Sequence, residues 1–439
     1  MVGGLLLCGL LAGCIADGLP GVAMLSGVRP SSPAADATAS GEIAHAALDT
    51  AARNEARSEV IEALRNRRSV LPTTGPFAQV AEAVLASNKG AGAAEVRVAR
   101  LKAEAKSKNW LPQIGPSMDL TSLGALAASI LVEQVLFDNG KRKAERTFAA
   151  ADVEVAAVAL STEMNKRVYD GLSLYVAAQR SQELSGLAGR AVDRMNDYGR
   201  IMGLRVQGGL SDRSEDRVVR QKMAEMEAVA SADREAAIAA RAELGAMLDQ
   251  PLTGVVGLSS LGQSDPVEPL TVLKAQGEAR RMVAEADMAR AGLLPGLKAN
   301  AALGKGGMTG GLRASADSAL GFGTGDSLDA LAATTEVATQ RTASARDDAN
   351  RRIVALERQI SSLEARQAQG APVLRQSAAS LGMFTEQYKV GRRPLMELVG
   401  MYESFVRLER DQTALKYEIA ALKLKIALER GVLVDGARM

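Results

Sequence analysis

Histidine, cysteine and aromatic side chains are scarce in this chain: one His, two Cys and one Trp among 439 residues, with aromatics at only 3%. With His45 as the sole imidazole, a His-rich zinc site or a Cys–His pair lacks its groups, and a Ser–His–Asp triad would have to use a histidine in a charged helix. Neither sign of charge dominates, since 53 Lys and Arg face 51 Asp and Glu. The two signs are interspersed, so no polyanion-binding face forms and no nucleic-acid partner is expected. Beyond the N-terminus no run of about 20 apolar residues exists, so no transmembrane helix is expected. Residues 304–311 are glycine-rich but lack the Gly-Lys-Ser/Thr ending of a P-loop. Paired carboxylates such as Glu42 and Asp49 read as solvated helix faces. No catalytic residue, metal or cofactor is assigned.

What is present is apolar but small. Hydrophobic residues make up 47% of the chain, mostly Ala, Leu and Val, which offsets ordering entropy and favours long helices packed side by side. One plan is written twice. Trp110-Leu111-Pro112-Gln113-Ile114, Leu136-Phe137-Asp138-Asn139-Gly140 and Gly208-Gly209-Leu210-Ser211 have counterparts 183 positions later. These are Leu293-Leu294-Pro295-Gly296-Leu297, Ala319-Leu320-Gly321-Phe322-Gly323 and Gly391-Arg392-Arg393-Pro394. Such a period marks a duplicated supersecondary unit rather than a solenoid. The first unit is expected over 41–256 and the second over 257–439, each running helix, β-hairpin, very long helix, turn, helix.

Glu42 to Arg68 and Gln79 to Lys108 read as helices, the second stopping before Pro112 because the residue preceding proline is pushed out of the helical region. Hairpins are expected over 113–137 and 296–322. Leu297, Ala299, Ala301 and Leu303 alternate with Lys298 and Asn300, and Leu312, Ala314 and Ala316 alternate with Arg313, Ser315 and Asp317. Period-two alternation predicts strands with two different faces. Strands of about 10 residues can cross a bilayer when tilted. The apolar side would then meet lipid, and Lys298, Asn300, Arg313, Ser315 and Asp317 would face a water-filled lumen. Trp110, Phe137 and Phe322, at strand–helix junctions, are candidate membrane-interface aromatics. Four strands cannot close a barrel, because an open edge in lipid leaves backbone groups unpaired, so several copies must contribute.

Long helices are expected over 140–207 and 327–388, each on the order of 100 Å, with Pro372 kinking or breaking the second. Ile353, Leu356, Ile360 and Leu363, and Leu415, Ile419, Leu422 and Ile426, have coiled-coil spacing. Leu424 and Leu428 add a second stripe, as a stave with two neighbours needs. Gly208, Gly209 and Gly391 interrupt the helical pattern, and positive φ there would let the chain reverse. Leu204, Leu210, Arg392 and Arg393 flank these turns as exposed candidates for partner contact. Asp193, Asp197, Asp212, Glu215 and Asp216 lie near the first turn.

At the N-terminus, Leu5 to Leu11 is a short apolar core, and Leu11-Ala12-Gly13-Cys14 resembles the lipobox of bacterial lipoproteins. That resemblance implies a signal peptide over 1–13, acylation of Cys14, and a Gly/Pro/Ser/Ala-rich tether over 14–40. Cys8 would leave with the signal peptide, so no disulfide is expected. No Lys or Arg precedes the apolar core, a departure consistent with a start codon upstream of Met1. An Asp after the cysteine would resemble an inner-membrane retention signal, whereas Ile15 stands there, which favours the outer membrane.

The order and spacing of Leu85-Ala86-Ser87-Asn88, Asn109 to Ile114, Leu136 to Gly140, and Tyr388-Lys389-Val390-Gly391-Arg392 with the helix that follows resemble the TolC-like outer-membrane factors of efflux pumps and type I secretion systems. The resemblance covers about residues 76–433. It implies a mainly α chain with a small β part, assembled as a homotrimer in which four strands per protomer build a twelve-stranded transmembrane barrel over a trimeric α-helical barrel. It further implies partners: a periplasmic adaptor docking at Leu204, Gly208, Gly209, Leu210, Gly391, Arg392 and Arg393, an inner-membrane ABC or proton-driven transporter, and outer-membrane lipid. The alternative is a lipid-anchored periplasmic coiled-coil scaffold or adaptor without a channel.

Overall fold

A computed structural model describes residues 58–122, 125–262, 266–304, 307–317 and 321–438. The signal peptide, Cys14, the tether, His45, Ala319 and Leu320 lie outside these residues. The elements, in chain order, are α1 (Glu59–Arg65), α2 (Pro76–Ala86), α3 (Gly92–Ser107), β1 (Gln113–Ser122), β2 (Ala125–Phe137), α4 (Lys141–Gln207), α5 (Arg213–Ala246), α6 (Leu270–Leu293), β3 (Gly296–Gly304), β4 (Gly307–Ser315), α7 (Thr324–Lys389) and α8 (Leu395–Arg430).

Of the first expected helix, α1 is the described part, capped by Ser58, whose side chain accepts from the Ile61 N–H. The single helix expected over 79–108 is instead two, α2 and α3. Local polar groups compete for the backbone between them: the Asn88 side chain accepts from Gly90 N–H at 3.1 Å, and the Ser87 carbonyl accepts from Arg167 at 2.8 Å. Close approach to α4 finishes the break, because a Cβ on Gly92 would stand 2.5 Å from the Glu163 carboxylate.

The two long helices have 67 and 66 residues. Pro372 lies inside α7 without breaking it. The turn that holds it packs tightly on α8, where a Cβ on Gly370 would meet the Gln412 amide at 1.7 Å. Packing thus overrides the local propensity. On one side of α8, Leu415 and Ile419 bury against Ile360 and Leu363 of α7, with Leu422 and Ile426 alongside. On the other, Leu424 and Leu428 join a core with Phe77, Val80 and Val84 of α2 and Val168, Leu172 and Tyr175 of α4.

All four strands form one antiparallel sheet in the order β1-β2-β3-β4, so the two hairpins are fused through β2 and β3. β4 ends at Ser315 rather than continuing toward 322. Asp317 is therefore not a strand position. Its N–H donates to the Gly292 carbonyl at 3.0 Å and its carboxylate pairs with Lys141.

A buried knot ties both halves at mid-length. Arg67 is 1% exposed and donates to the carbonyls of Arg430, Gly431 and Glu268. It thereby satisfies the C-terminus of α8, where a cation also complements the helix dipole. Around it, Val70 N–H donates to Val432 and Gly436 N–H to Arg67. Burial pushes the Arg67 guanidinium down to about 10, partly offset by Glu268, so it stays charged at neutral pH. Arg67→Ala should leave these carbonyls without their charged donor and cost about 2–3 kcal/mol. Thermal unfolding of the purified protein should show the loss, with partial recovery in Arg67→Lys; an unchanged midpoint would contradict the clamp.

Candidate functional site

The sheet has two chemically distinct faces, set by its register. Gln113 pairs with Glu133, Glu133 with Asn300, and Asn300 with Gly311, while Val135, Lys298 and Arg313 stand side by side and Ser315 faces Gly296. In antiparallel pairs directly opposed residues share a face, so Lys298, Asn300, Arg313 and Ser315 lie together. A Lys298–Glu133 ion pair of 3.2 Å crosses between β2 and β3 on that side. The other face carries Ile114, Ile130, Leu297, Ala299, Ala301, Leu303, Met308, Leu312 and Ala314. It is not packed on anything among the described residues: Ile114 is 70% exposed and Met308 78%. One polar residue interrupts it, Gln134, whose amide is spent on the Trp110 and Val135 carbonyls. Trp110, Phe137 and Phe322 are exposed at the base of the sheet.

Where the polar face meets the helices, charges crowd into one cleft. Lys106 pairs with Glu145 at 3.0 Å, Lys141 with Asp317, and Asn109 accepts from Arg146 at 2.8 Å. The Glu145 carboxyl is held below its usual range; burial opposes the shift, but the bonds from Lys106 and Asn109 and the nearby lysines outweigh it.

At the opposite end, α4–α5 and α7–α8 each reverse through a Schellman-type turn. Leu210 N–H donates to Arg205 O and Gly209 N–H to Val206 O, as Arg392 N–H does to Gln387 O and Gly391 N–H to Tyr388 O. The left-handed residues are Gly209 (φ 71°) and Gly391 (φ 72°). Gly208, at φ −81°, is an ordinary helix end matched by Val390, so the turns align one residue away from the Gly208–Gly391 pairing that the sequence suggests. Leu204, Leu210 and Arg392 are exposed. Arg393 is not fully so. Its guanidinium lies 4.2 Å over the Phe384 ring and bonds Gln387 and Glu397, so it braces the turn. Of the acidic residues nearby, Asp212 caps α5, Asp216 pairs with Arg220 and Asp197 with Arg200.

Behind both turns a shared core of Met195, Tyr198, Met202, Val219, Leu395 and Leu398 joins the two helical hairpins. Ion pairs the sequence did not suggest span them further up: Lys222–Glu403 at 3.1 Å, Arg410–Asp233 at 2.6 Å and Lys416–Glu183 at 2.7 Å. Only tertiary placement brings these residues together. Tyr402, packed edge-on against Tyr198, is pushed up to about 12 by burial and remains a neutral phenol. Among the described residues no group of three or more His, Cys, Asp or Glu is placed to hold a metal ion.

No family profile matches this sequence, and no curated protein matches it by sequence. Solved structures do match by shape. The outer membrane protein VceC of Vibrio cholerae superposes with a TM-score of 0.68 at 15% identity, over 81% of this chain and 96% of that one. The Campylobacter jejuni CmeC outer membrane channel gives 0.66 at 11%, over 82% and 87%. The open state of the Neisseria gonorrhoeae MtrE outer membrane channel gives 0.68 at 14%, over 83% and 91%. The chain has the fold of the TolC-family outer-membrane channels.

The turn geometry makes a direct prediction. No atom lies within 4 Å of a Cβ built on Gly209 or Gly391, so substitution there meets backbone strain alone, about 1–2 kcal/mol. Gly209→Ala and Gly391→Ala should lower the melting temperature, and Gly208→Ala should scarcely move it. Equal losses at all three positions would refute the one-residue shift.

Proposed function

We infer that this chain is the outer-membrane subunit of an export channel, a conduit that passively carries to the exterior what an inner-membrane transporter delivers. The observation that carries this reading is the four-stranded sheet, apolar and exposed on one face, polar and ion-paired on the other, with β1 and β4 as open edges. Such a sheet is stable in lipid only if β4 of one copy pairs with β1 of the next. Three copies would close a twelve-stranded barrel, which supports a homotrimer. The helical part then lies in the periplasm, with the turns at Gly209 and Gly391 at its far end. There Leu204, Leu210 and Arg392 offer contact to a periplasmic adaptor, which links the channel to an ABC or proton-driven pump. The channel itself needs no catalytic residue and no cofactor. Cys14 supplies a lipid anchor, and Trp110, Phe137 and Phe322 sit at the membrane interface. The scaffold alternative leaves the exposed apolar face and both sheet edges without a role, which weighs against it.

Planar-bilayer recording of the detergent-purified protein tests this directly, with stepwise ion conductance expected and a silent bilayer contradicting it. Ala301→Arg places a charge on the apolar face midway along β3 and should cost roughly 2–4 kcal/mol near the bilayer midplane, impairing assembly. Ser315→Lys, on the other face, should assemble normally and change ion selectivity. Equal tolerance of both would count against a membrane barrel. Combining Gly391→Val with Arg392→Glu should leave trimers in the outer membrane yet abolish export and adaptor crosslinking; normal export would move the docking site elsewhere.

A further inference from the structure

Two cations stand where the helices meet the apolar face of the sheet, and the conduit does not use them. Lys143 is the third residue of α4 and Arg290 lies three residues before the end of α6. Each therefore sits within about 5 Å of the sheet-proximal end of its helix, at 1.5 Å per residue. Both are exposed, and neither forms an ion pair among the described residues.

Their side of the helix layer can be assigned. Lys141 and Glu145 of α4 line the charged cleft together with Glu133 and Lys298 of the polar sheet face. Lys143 is two positions from each, hence about 200° around the helix, on the opposite side. It heads a stripe that continues through Thr147, Ala150 and Glu154, while Arg290 heads one running back through Asp287, Val283 and Arg280. These stripes wall a second cleft. Glu154 and Glu59 lie deeper, where Arg280 pairs with the first at 2.9 Å and the second at 3.3 Å. The end nearest the sheet carries two cations against one acid, Asp287, a turn away from Arg290, and lies at the base of the sheet where Leu297 and Ala314 of the apolar face stand. Because α4 and α6 are interior staves, flanked by α3 and α7, neighbouring copies would not cover it.

We propose that Lys143 and Arg290 bind the phosphate of an anionic phospholipid in the periplasm-facing leaflet, an assignment that rests on the outer-membrane reading above. An apolar face ending in two exposed cations matches an acyl chain ending in a phosphodiester, and each cation near a charged membrane surface should contribute about fivefold in affinity. This lipid would fix the depth and tilt of the barrel.

The full chain, reconstituted in phosphatidylcholine vesicles, can be probed with spin-labelled phosphatidylglycerol against spin-labelled phosphatidylcholine. The wild type should immobilise the anionic lipid preferentially. Lys143→Gln with Arg290→Gln should abolish that preference while conductance persists, whereas Lys143→Arg with Arg290→Lys should keep it. Lys102→Gln, equally exposed on α3, should also keep it. Retained preference in the double Gln variant, or displacement of the lipid by inorganic phosphate alone, would overturn the proposal. Normal conductance with no lipid preference in the wild type would overturn it and leave the channel reading standing. Failure of the wild type to insert at all would overturn both.

Discussion

Backbone hydrogen bonding at the edges of the sheet is the constraint on which the rest depends. β1 and β4 each have one paired side and one open side, and every N–H and C=O on an open side needs a partner. Water can supply it to a soluble sheet. A sheet whose outward face carries Ile114, Ile130, Met308 and Leu312 is not built for water. In the proposed channel that partner is the opposite edge of another copy. Closure into a ring would follow from that pairing.

The helices are suited to a single-layered wall because their side chains are small. Ala144, Ala151, Ala284, Ala338 and Ala349 are buried contact residues, which lets neighbouring helices approach closely without a central core. A wall of staves needs two contact stripes per helix, and α8 has them, one facing α7 and one facing α4 and α2. Stability is then distributed along about 100 Å rather than gathered at a centre. The knot around Arg67 compensates by tying the N-terminal segment, the link between the halves and the end of α8 at one level.

The far end is held differently. Methionine-rich packing joins the two hairpins behind their turns, and a few ion pairs bridge them above. Methionine fills irregular gaps and tolerates rearrangement. Each turn is a short Schellman closure whose one special residue is a glycine in open space. In the proposed conduit, a deformable core and localised polar ties at this end would suit opening to a partner.

Patterns with a fixed period were legible from the residues alone. Alternation in β3 and β4 separated Lys298, Asn300, Arg313 and Ser315 from the apolar set, because strand geometry sends successive side chains to opposite faces whatever the surroundings. Helix lengths near 66 residues and the turns after them followed from uninterrupted helical spacing ending at glycine. Tertiary structure decided what depends on which groups meet across long separations. The break at Asn88 required Arg167 and Glu163 from α4; the unbroken passage through Pro372 required α8 packed against that turn. Arg393 turned inward because Phe384 and Glu397 were waiting for it, and the left-handed position fell on Gly209 because α4 is one residue longer than α7. Fusion of the hairpins through β2 and β3, the burial of Arg67 and the shared depth of Lys143 and Arg290 are likewise matters of three-dimensional neighbourhood. No local period encodes them, since the partners that determine each one are supplied by distant stretches of the chain.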